Sequence, residues 1–311
     1  MNLGFLTGSA TGMEISQSGV ACALLSGSVA SAVLEKVAFR PFLPDMLRIS
    51  HRDPHVQQPE LFVERLRESH SELGVKEPRV SLVLPDSSGR IMLLDLEERW
   101  KSKEEAVDMI RWKLKKNIPL EMSDLHLDFQ LLERNEDGES SVMVAIISRR
   151  VVQQYEELLD QAGLQADRID FTTLNLLKAF NQYVTRDLNA AFFSFYGQSL
   201  GVMIFSDGIP AFYRSKHLPG SAAGDNRVYM EVNSSISAYR QRWPERIPGK
   251  VFCMAPPESL AEFTSMTAEL SGVETKALEV RSVVKSGNMA PADQNILYPI
   301  TAAIGAAIGR L

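Results

Sequence analysis

The residues whose types and spacing are most suited to binding or catalysis lie in one short turn near the start of the chain. The stretch GMEISQSGVACALL, residues 12–25, is typical of a strand, a tight turn and a second strand. Glu14 stands near the end of the first strand. The residues that follow in the turn include Ser16, Gln17, Ser18 and Gly19. A carboxylate can hold a metal ion or its water, and a glycine lets backbone N–H groups approach a phosphate. This hairpin is therefore the first candidate for a phosphate-binding element.

Other candidate sites are incomplete. His51 and His55 occur in the sequence HRDPH, but Pro54 interrupts the helix that would place both imidazoles on one face. No cysteine or carboxylate cluster completes a metal site around them, so we expect two loop histidines without a metal. No Ser/His/Asp set, paired-carboxylate site or zinc motif is present either. The sequence therefore predicts no catalytic residue and no metal ligand.

Composition indicates a soluble globular protein with two lobes. The chain has 311 residues, of which 45% are hydrophobic and 23% charged, which is enough apolar material for a large core. The net charge of −6 disfavours nonspecific attraction to nucleic acid. Cys22 and Cys253 form no CxxC pattern, which favours a reducing compartment. No secretory signal opens the chain, and the apolar segment 296–311 is too short to span a bilayer. We therefore expect a cytoplasmic protein with no direct membrane span.

The sequence predicts the same series of elements twice along the chain: a hairpin, a third strand, a helix and a buried strand. The first series has strands at 13–16, 20–25, 32–39 and 79–84, with a helix that begins at Pro59 and stops before Gly74. The second series has strands at 190–197, 200–205, 209–214 and 250–254, with a helix over 228–240. Such a repeat indicates internal duplication.

A separate unit is predicted between the two series. Residues 86–163 follow the order strand, helix, strand, strand, helix, which is compact enough for an inserted subdomain. Its first helix begins with a capping box, Ser102 to Glu105, and Asn117 and Pro119 end it. Ser148 is predicted to cap its second helix. The last turn of the first helix is basic: Arg111, Lys113, Lys115 and Lys116. These cations are either a solvated helix end or a contact surface for an acidic partner.

Several segments resemble the type IV pilus assembly protein PilM family of the actin-like ATPase superfamily, in its FtsA/PilM branch. They are RWKLKKNIPLEMSDLHLDFQLL, VVQQYEELLDQAGLQADRIDFTTLNLLKAF, EVNSSISAYRQ and ITAAIGAAIGR. The resemblance implies an α/β fold: a duplicated actin-like (ribonuclease H-like) pair of lobes with an inserted α+β subdomain of the 1C type. Residues 1–85 and 164–187 would form lobe one, 86–163 the insert and 188–311 lobe two, whose closing helix packs back between the lobes.

The same resemblance implies that the nucleotide-binding motifs are degenerate. Family members that bind ATP use Asp-x-Gly in each hairpin turn, and here the first turn has Glu14 with Ser16 in the glycine position. The second turn has Ser194 and Tyr196 in these positions, although Gly197 follows. A Gly-Gly pair that cradles adenosine aligns with Ala255 and Pro256, followed by Pro257, and prolines have no N–H to donate. We therefore expect no cofactor and no productive ATP binding. The alternative is a working ATP-binding protein or ATPase with Mg²⁺ held by Glu14.

For function, the resemblance implies a cytoplasmic scaffold, peripheral at the inner membrane. Its partner would be a bitopic PilN-like membrane protein, bound through the short N-terminal tail in a groove between subdomains 1A and 1C. Contact with pilus motor ATPases is a further expectation, and a GspL-like component of a type II secretion system is the other alternative. The residues predicted to bind the partner are Lys115, Lys116, Ile118, Pro119, Asp128 and Phe129.

Overall fold

The computed structural model describes residues 8–97, 99–115, 118, 121–134 and 139–311. Its strands are β1 (Gly8–Ser16), β2 (Gly19–Gly27), β3 (Val33–Pro41), β4 (Arg79–Leu84), β5 (Gly89–Leu96), β6 (Leu125–Arg134), β7 (Ser140–Ser148), β8 (Gln165–Phe171), β9 (Ala190–Tyr196), β10 (Ser199–Ser206), β11 (Ile209–His217), β12 (Lys250–Met254), β13 (Thr275–Ala277) and β14 (Lys285–Ser286). Its α-helices are α1 (Pro59–Leu73), α2 (Lys103–Lys115), α3 (Arg149–Gln161), α4 (Thr172–Val184), α5 (Asn226–Arg242), α6 (Leu260–Ser271), α7 (Gln294–Leu297) and α8 (Thr301–Ile308).

The predicted duplication is confirmed by the topology of two sheets. The first has the order β14-β3-β2-β1-β4-β8, and the second has the order β11-β10-β9-β12-β13. In each, an antiparallel hairpin lies beside a parallel strand: β1 pairs with β2 and β4, and β9 pairs with β10 and β12. Central strands of such sheets are buried on both faces, so they lack polar alternation. All seven residues of β9 are buried, which explains its sequence AAFFSFY.

A third sheet, β5-β7-β6, forms within the segment 86–163. Helix α2 covers one face and buries Ile110 and Leu114 against Val142 and Val144 of the central strand. Strand β11 lies against β5 and β6. A 2.8 Å ion pair between Arg242 and Asp95 also joins α5 to β5. The third sheet therefore contacts the second sheet as well as the chain segments that lead into it.

The C-terminal segment connects the two halves. Strand β14 pairs with β3 in the first sheet, and all eight residues of α8 are buried. A Cβ built on Gly12 would lie 1.9 Å from the Ala303 carbonyl oxygen, so α8 approaches β1 as closely as a backbone allows. Helix α8 also packs on α4, and its side chains join a core cluster with Phe192 of β9. The end of the segment 188–311 thus contacts the first sheet extensively.

Local signals differ in how well they predict the structure. Helix α1 begins at Pro59 and ends at Leu73, before Gly74, as predicted, and the φ of 71° at Gly74 is left-handed. The Ser102 hydroxyl accepts from the Glu105 N–H at 3.2 Å, which is one half of the predicted capping box, whereas the Glu105 carboxylate accepts from the Lys101 N–H at 2.7 Å. The prediction that the Ser148 side chain caps α3 is wrong, because its hydroxyl donates to the Arg52 carbonyl at 3.0 Å instead. The predicted helix end at Asn117 and Pro119 lies outside the described residues.

His55 and His51 lie in the loop between β3 and α1, as predicted. His55 is nevertheless fully buried, with Nε2 2.7 Å from the Ser50 carbonyl oxygen and Nδ1 3.0 Å from the Tyr155 hydroxyl. Burial lowers the pKa of His55, so its ring is neutral at pH 7. Throughout the described part of the chain, no group of three or more His, Cys, Asp or Glu residues could hold a metal ion.

Candidate functional site

The turns of the two duplicated hairpins meet at a cleft between the first and second sheets. Glu14 pairs with Ala21 two residues before the end of β1, and Ser194 pairs with Gly201 two residues before the end of β9. The cleft is lined from both sides, by Glu14, Ser16 and Gln17 of the first hairpin and by Tyr196 and Gly197 of the second. Duplication therefore brings these predicted nucleotide-site residues together.

Tyr196 crosses the cleft and contacts Glu14 directly. Its hydroxyl oxygen lies 2.6 Å from Oε2 of Glu14 and 2.8 Å from the carbonyl oxygen of Pro299. Both neighbours of the tyrosine oxygen are acceptors when Glu14 is ionised, yet the hydroxyl has a single proton. Both contacts can be hydrogen bonds when Glu14 is protonated. The O–H of Glu14 then donates a hydrogen bond to the Tyr196 oxygen, and the O–H of Tyr196 donates one to the Pro299 carbonyl.

The surroundings of Glu14 favour this neutral form. Its side chain is only 3% exposed, and no cation is paired with it among the described residues. Burial raises the pKa of Glu14 to about 8, which the Tyr196 hydrogen bond opposes and the Asp86 carboxylate reinforces. A neutral carboxyl group is a poor ligand for Mg²⁺, which binds oxygen anions. In this conformation Glu14 acts as a hydrogen-bonding partner of the opposite hairpin.

The Tyr196 ring fills the space beside the second turn. It packs against the ring of Tyr298 with centroids 5.3 Å apart, and the Tyr298 hydroxyl donates to the Phe195 carbonyl at 2.5 Å. The remaining cavity in the cleft has a volume of about 40 Å³. Small-molecule sites usually offer about 300–1,000 Å³, so this conformation of the cleft has no room for a nucleotide.

A second carboxylate in the cleft, Asp86, was not predicted. It lies two residues after the end of β4 and accepts hydrogen bonds from the Thr173 hydroxyl at 2.6 Å, the Thr173 N–H at 3.2 Å and the Tyr213 hydroxyl at 3.4 Å. Burial raises the pKa of Asp86, and these hydrogen bonds oppose the rise. Its position at the carboxyl end of a buried parallel strand, where ligands of α/β sheets collect, is the signal that could have identified it.

The other predicted nucleotide-site residues lie apart from the cleft or close the turns. Gly197, with φ of 54°, and Gln198, with φ of 61°, form a two-residue hairpin turn of type I′. The Ser16 hydroxyl lies 2.8 Å from that of Ser18 and donates to the Gly19 carbonyl at 3.1 Å, so it is engaged within its own turn. Four predicted residues do not line the cleft: Ser18, Ser194, Ala255 and Pro256.

The segment predicted to align with an adenosine-binding Gly-Gly pair contains two consecutive prolines. Pro256 precedes a short 3₁₀ turn, Pro257–Ser259, and the two consecutive prolines supply no N–H groups. Ala255 is buried in the core below it. No part of this segment therefore donates a backbone hydrogen bond at the position of the two prolines.

A larger cavity, which we call the groove, lies between the β3–α1 loop and one end of the third sheet. Its volume is about 290 Å³. It is lined by Ser50, His51, Arg52, Gly89, Arg90, Ile118, Leu125, Ile146, Ile147 and Ser148. The hydrogen bond from the Ser148 hydroxyl to the Arg52 carbonyl holds the loop against the end of β7. The groove therefore has two walls, a polar loop and an apolar sheet end.

The predicted partner-binding residues are distributed unevenly around this groove. Ile118 lines it and is 6% exposed. Asp128 is exposed on β6 and forms a 3.2 Å ion pair with Lys103, while Phe129 packs edge-on against Trp100 with centroids 5.9 Å apart. Lys115 is an exposed residue at the end of α2 and does not line the groove. Lys116 and Pro119 lie outside the described residues.

Comparison with known proteins decides the family. The family model described as type IV pilus assembly protein PilM matches residues 12–220, which is more than half of the chain. The chain belongs to the PilM family. No curated protein matches it significantly in sequence.

Solved structures support the same fold for this PilM-family protein. A chain of the PilM-PilN type IV pilus biogenesis complex superimposes with a TM-score of 0.82 at 18% identity, covering 96% of this chain and 98% of that one. The cytoplasmic domain of EpsL, an inner membrane component of the type II secretion system of Vibrio cholerae, gives a TM-score of 0.52 at 13% identity over 96% of this chain and 95% of its own. A Bacteroides thetaiotaomicron protein with the actin-like ATPase fold gives a TM-score of 0.53 at 11% identity, covering 89% of this chain and 92% of that one. The PilM-family protein therefore has the actin-like fold predicted from its sequence.

In the ranges that the structure describes, no helix is both long and apolar enough to cross a membrane.

Proposed function

We propose that this PilM-family protein is a cytoplasmic scaffold of a type IV pilus assembly complex. It binds the N-terminal tail of a PilN-like bitopic membrane protein and is thereby held at the inner membrane. The observation that carries the proposal is the groove of about 290 Å³, which is preformed between the β3–α1 loop and the third sheet. A disordered tail loses chain entropy on binding, so a preformed groove with apolar walls favours its capture.

The aliphatic residues in the lining of the groove suit the apolar side chains of a peptide. Four of the residues that line it are aliphatic: Ile118, Leu125, Ile146 and Ile147. Burying a few apolar side chains of a peptide here would contribute about 1.5–3 kcal/mol each, before the cost of ordering the tail. A net affinity on the order of micromolar is therefore expected. The superimposed structural neighbour belongs to a PilM-PilN complex, which supports the choice of a PilN-like partner.

We further propose that binding of this tail needs no nucleotide. Tyr196 already joins the two hairpins by hydrogen bonding to Glu14, in the place where a nucleotide would join the lobes of an actin-like ATPase. The alternative of an ATP-binding protein is favoured by one observation, the two carboxylates Glu14 and Asp86 in one cleft. A melting experiment with millimolar ATP and Mg²⁺ separates these functions, because saturation to a hundred times Kd adds about 2.7 kcal/mol to stability.

The location of the partner site is tested by filling the groove. A labelled peptide of the partner's N-terminal tail is titrated against wild type and the Ile147→Trp variant, which replaces a residue of the groove lining with a larger one. Leu188→Trp is the matched control, because Leu188 is 59% exposed and lies outside the groove. We expect binding by wild type and Leu188→Trp and loss of binding by a folded Ile147→Trp. Absence of binding by wild type would contradict the scaffold function, and full binding by Ile147→Trp would place the site elsewhere.

A further inference from the structure

The residues that line the groove have a charge opposite in sign to the net charge of the protein. The chain has a net charge of −6, yet three of the residues that line the groove are basic, namely His51, Arg52 and Arg90. None of the groove-lining residues is an Asp or a Glu. Partial burial, followed by the charge of Arg90, lowers the pKa of His51, which leaves the two arginines as the cations at neutral pH. The groove is therefore an electropositive site on an acidic protein.

Arg90 is placed to present its charge to an occupant. It is exposed, and within the described ranges it has no ion pair and no side-chain hydrogen bond. Strand pairing sets Arg90 of β5 directly opposite Ile146 of β7. Cross-strand partners project from the same face of a sheet with Cβ atoms about 4.5–5.5 Å apart. A guanidinium group and an aliphatic wall therefore stand side by side in the groove.

We propose that Arg90 recognises a carboxylate of the peptide that occupies the groove, within two positions of an aliphatic residue that packs on Ile146. This inference rests on the proposed function and specifies the chemistry of the partner's tail. The two-position limit follows because alternate side chains of an extended peptide project from the same side. Arginine binds carboxylates through two parallel N–H groups, so the contact adds orientation as well as affinity. A carboxylate is favoured over a lipid phosphate because the cations border an aliphatic wall that suits a peptide side chain.

The test is a double-mutant cycle between Arg90 and the acidic residues of the tail. Arg90→Gln is titrated with the labelled tail peptide and with peptides in which each Asp or Glu is changed in turn to Asn or Gln. We expect Arg90→Gln to weaken binding about fivefold or more at low salt. One amide-substituted peptide should bind wild type more weakly by a similar factor and should lose nothing further on Arg90→Gln. Moderate salt should reduce the difference, because partly exposed charges are screened.

Matched controls separate this contact from general electrostatics. Arg186→Gln removes the same charge from an exposed residue with no ion pair among the described residues, in the loop after α4, and should leave binding unchanged. Lys115→Gln tests the other basic surface, the end of α2, which does not line the groove but was predicted from the sequence to bind the partner. Thermal melts of Arg90→Gln should match those of wild type, because no described side-chain contact is lost.

Each outcome distinguishes the inference from the function on which it rests. If wild type does not bind the tail peptide, the scaffold function itself fails. If wild type binds but neither Arg90→Gln nor any amide-substituted peptide weakens binding, the tail function stands and the role of Arg90 is wrong. Equal losses with Arg90→Gln and Arg186→Gln, or a loss confined to Lys115→Gln, would also overturn it. The inference would also be overturned if binding to phosphatidylglycerol vesicles depended on Arg90 while peptide binding did not. Arg90 would then contact membrane lipid and not the peptide.

Discussion

The buried proton on Glu14 makes stability depend on pH in a way that one amide substitution should abolish. Glu14→Gln removes the titration but keeps the shape, and the amide can donate to the Tyr196 oxygen as the protonated acid does. The wild-type carboxyl group has a pKa raised to about 8 in the folded protein from 4.5. Because one pKa unit is 1.36 kcal/mol, this rise corresponds to about 5 kcal/mol of unfolding free energy.

The sign of the effect follows from proton binding. Between pH 4.5 and about 8 the folded protein holds a proton on Glu14 that the unfolded chain has released. The stabilising contribution is therefore complete below pH 4.5, falls as pH rises, and is lost once pH exceeds about 8. Relative to wild type, Glu14→Gln should gain stability steadily from pH 5 to pH 8 and then remain level.

Urea unfolding of both proteins at intervals from pH 5 to pH 9 measures this difference directly. Titrations of the histidines are common to both proteins and cancel in the difference. Glu64→Gln is the control, because Glu64 is exposed on α1 and its substitution should leave the difference from wild type constant. Parallel curves for wild type and Glu14→Gln across the whole range would refute the conclusion that Glu14 is protonated in the fold.

Three further predictions concern the cleft and the core. Tyr196→Phe removes the hydroxyl between Glu14 and Pro299 and should lower the free energy of unfolding by about 1–3 kcal/mol at pH 6, as measured by urea unfolding. A change below about 0.5 kcal/mol would contradict the two hydrogen bonds through this hydroxyl. Millimolar ATP with Mg²⁺ should not shift the melting temperature of wild type or of Ser194→Asp/Tyr196→Gly, because Pro256 and Pro257 still lack donors; a shift of several degrees abolished by Glu14→Ala would establish a nucleotide site. Gly12→Ala should destabilise by about 3 kcal/mol, because its Cβ would lie 1.9 Å from the Ala303 oxygen, whereas Gly8→Ala meets nothing within 4 Å and should be neutral in the same melts.

Local sequence signals predicted the elements well because their causes are local. Proline at the start and left-handed glycine at the end define α1, and alternation of turns with apolar runs defines both hairpins. The family resemblance supplied the fold, which hydrophobic patterns alone leave open. Ser148 shows the limit of local rules: a serine before a helix was expected to cap it, but a loop that is distant in sequence offered its carbonyl instead.

The site depends on contacts between distant residues, which local patterns do not specify. The substitutions at Glu14 and Tyr196 were evident in the sequence, but their direct hydrogen bond across 182 positions was not. Asp86 was missed because its partners Thr173 and Tyr213 come from later parts of the chain. Arg90 was missed for the same reason, since its position beside Ile146 follows from strand register.

The central claim, a scaffold that captures a partner's tail without nucleotide, is tested most directly by one calorimetric titration. The tail peptide of the PilN-like partner is titrated into protein freed of nucleotide, and again in the presence of ATP and Mg²⁺. The account predicts binding with a Kd on the order of micromolar in both titrations, with the same value in each. Binding only in the presence of ATP and Mg²⁺ would contradict the account, because the cleft closed by Tyr196 would then have to open to admit a nucleotide.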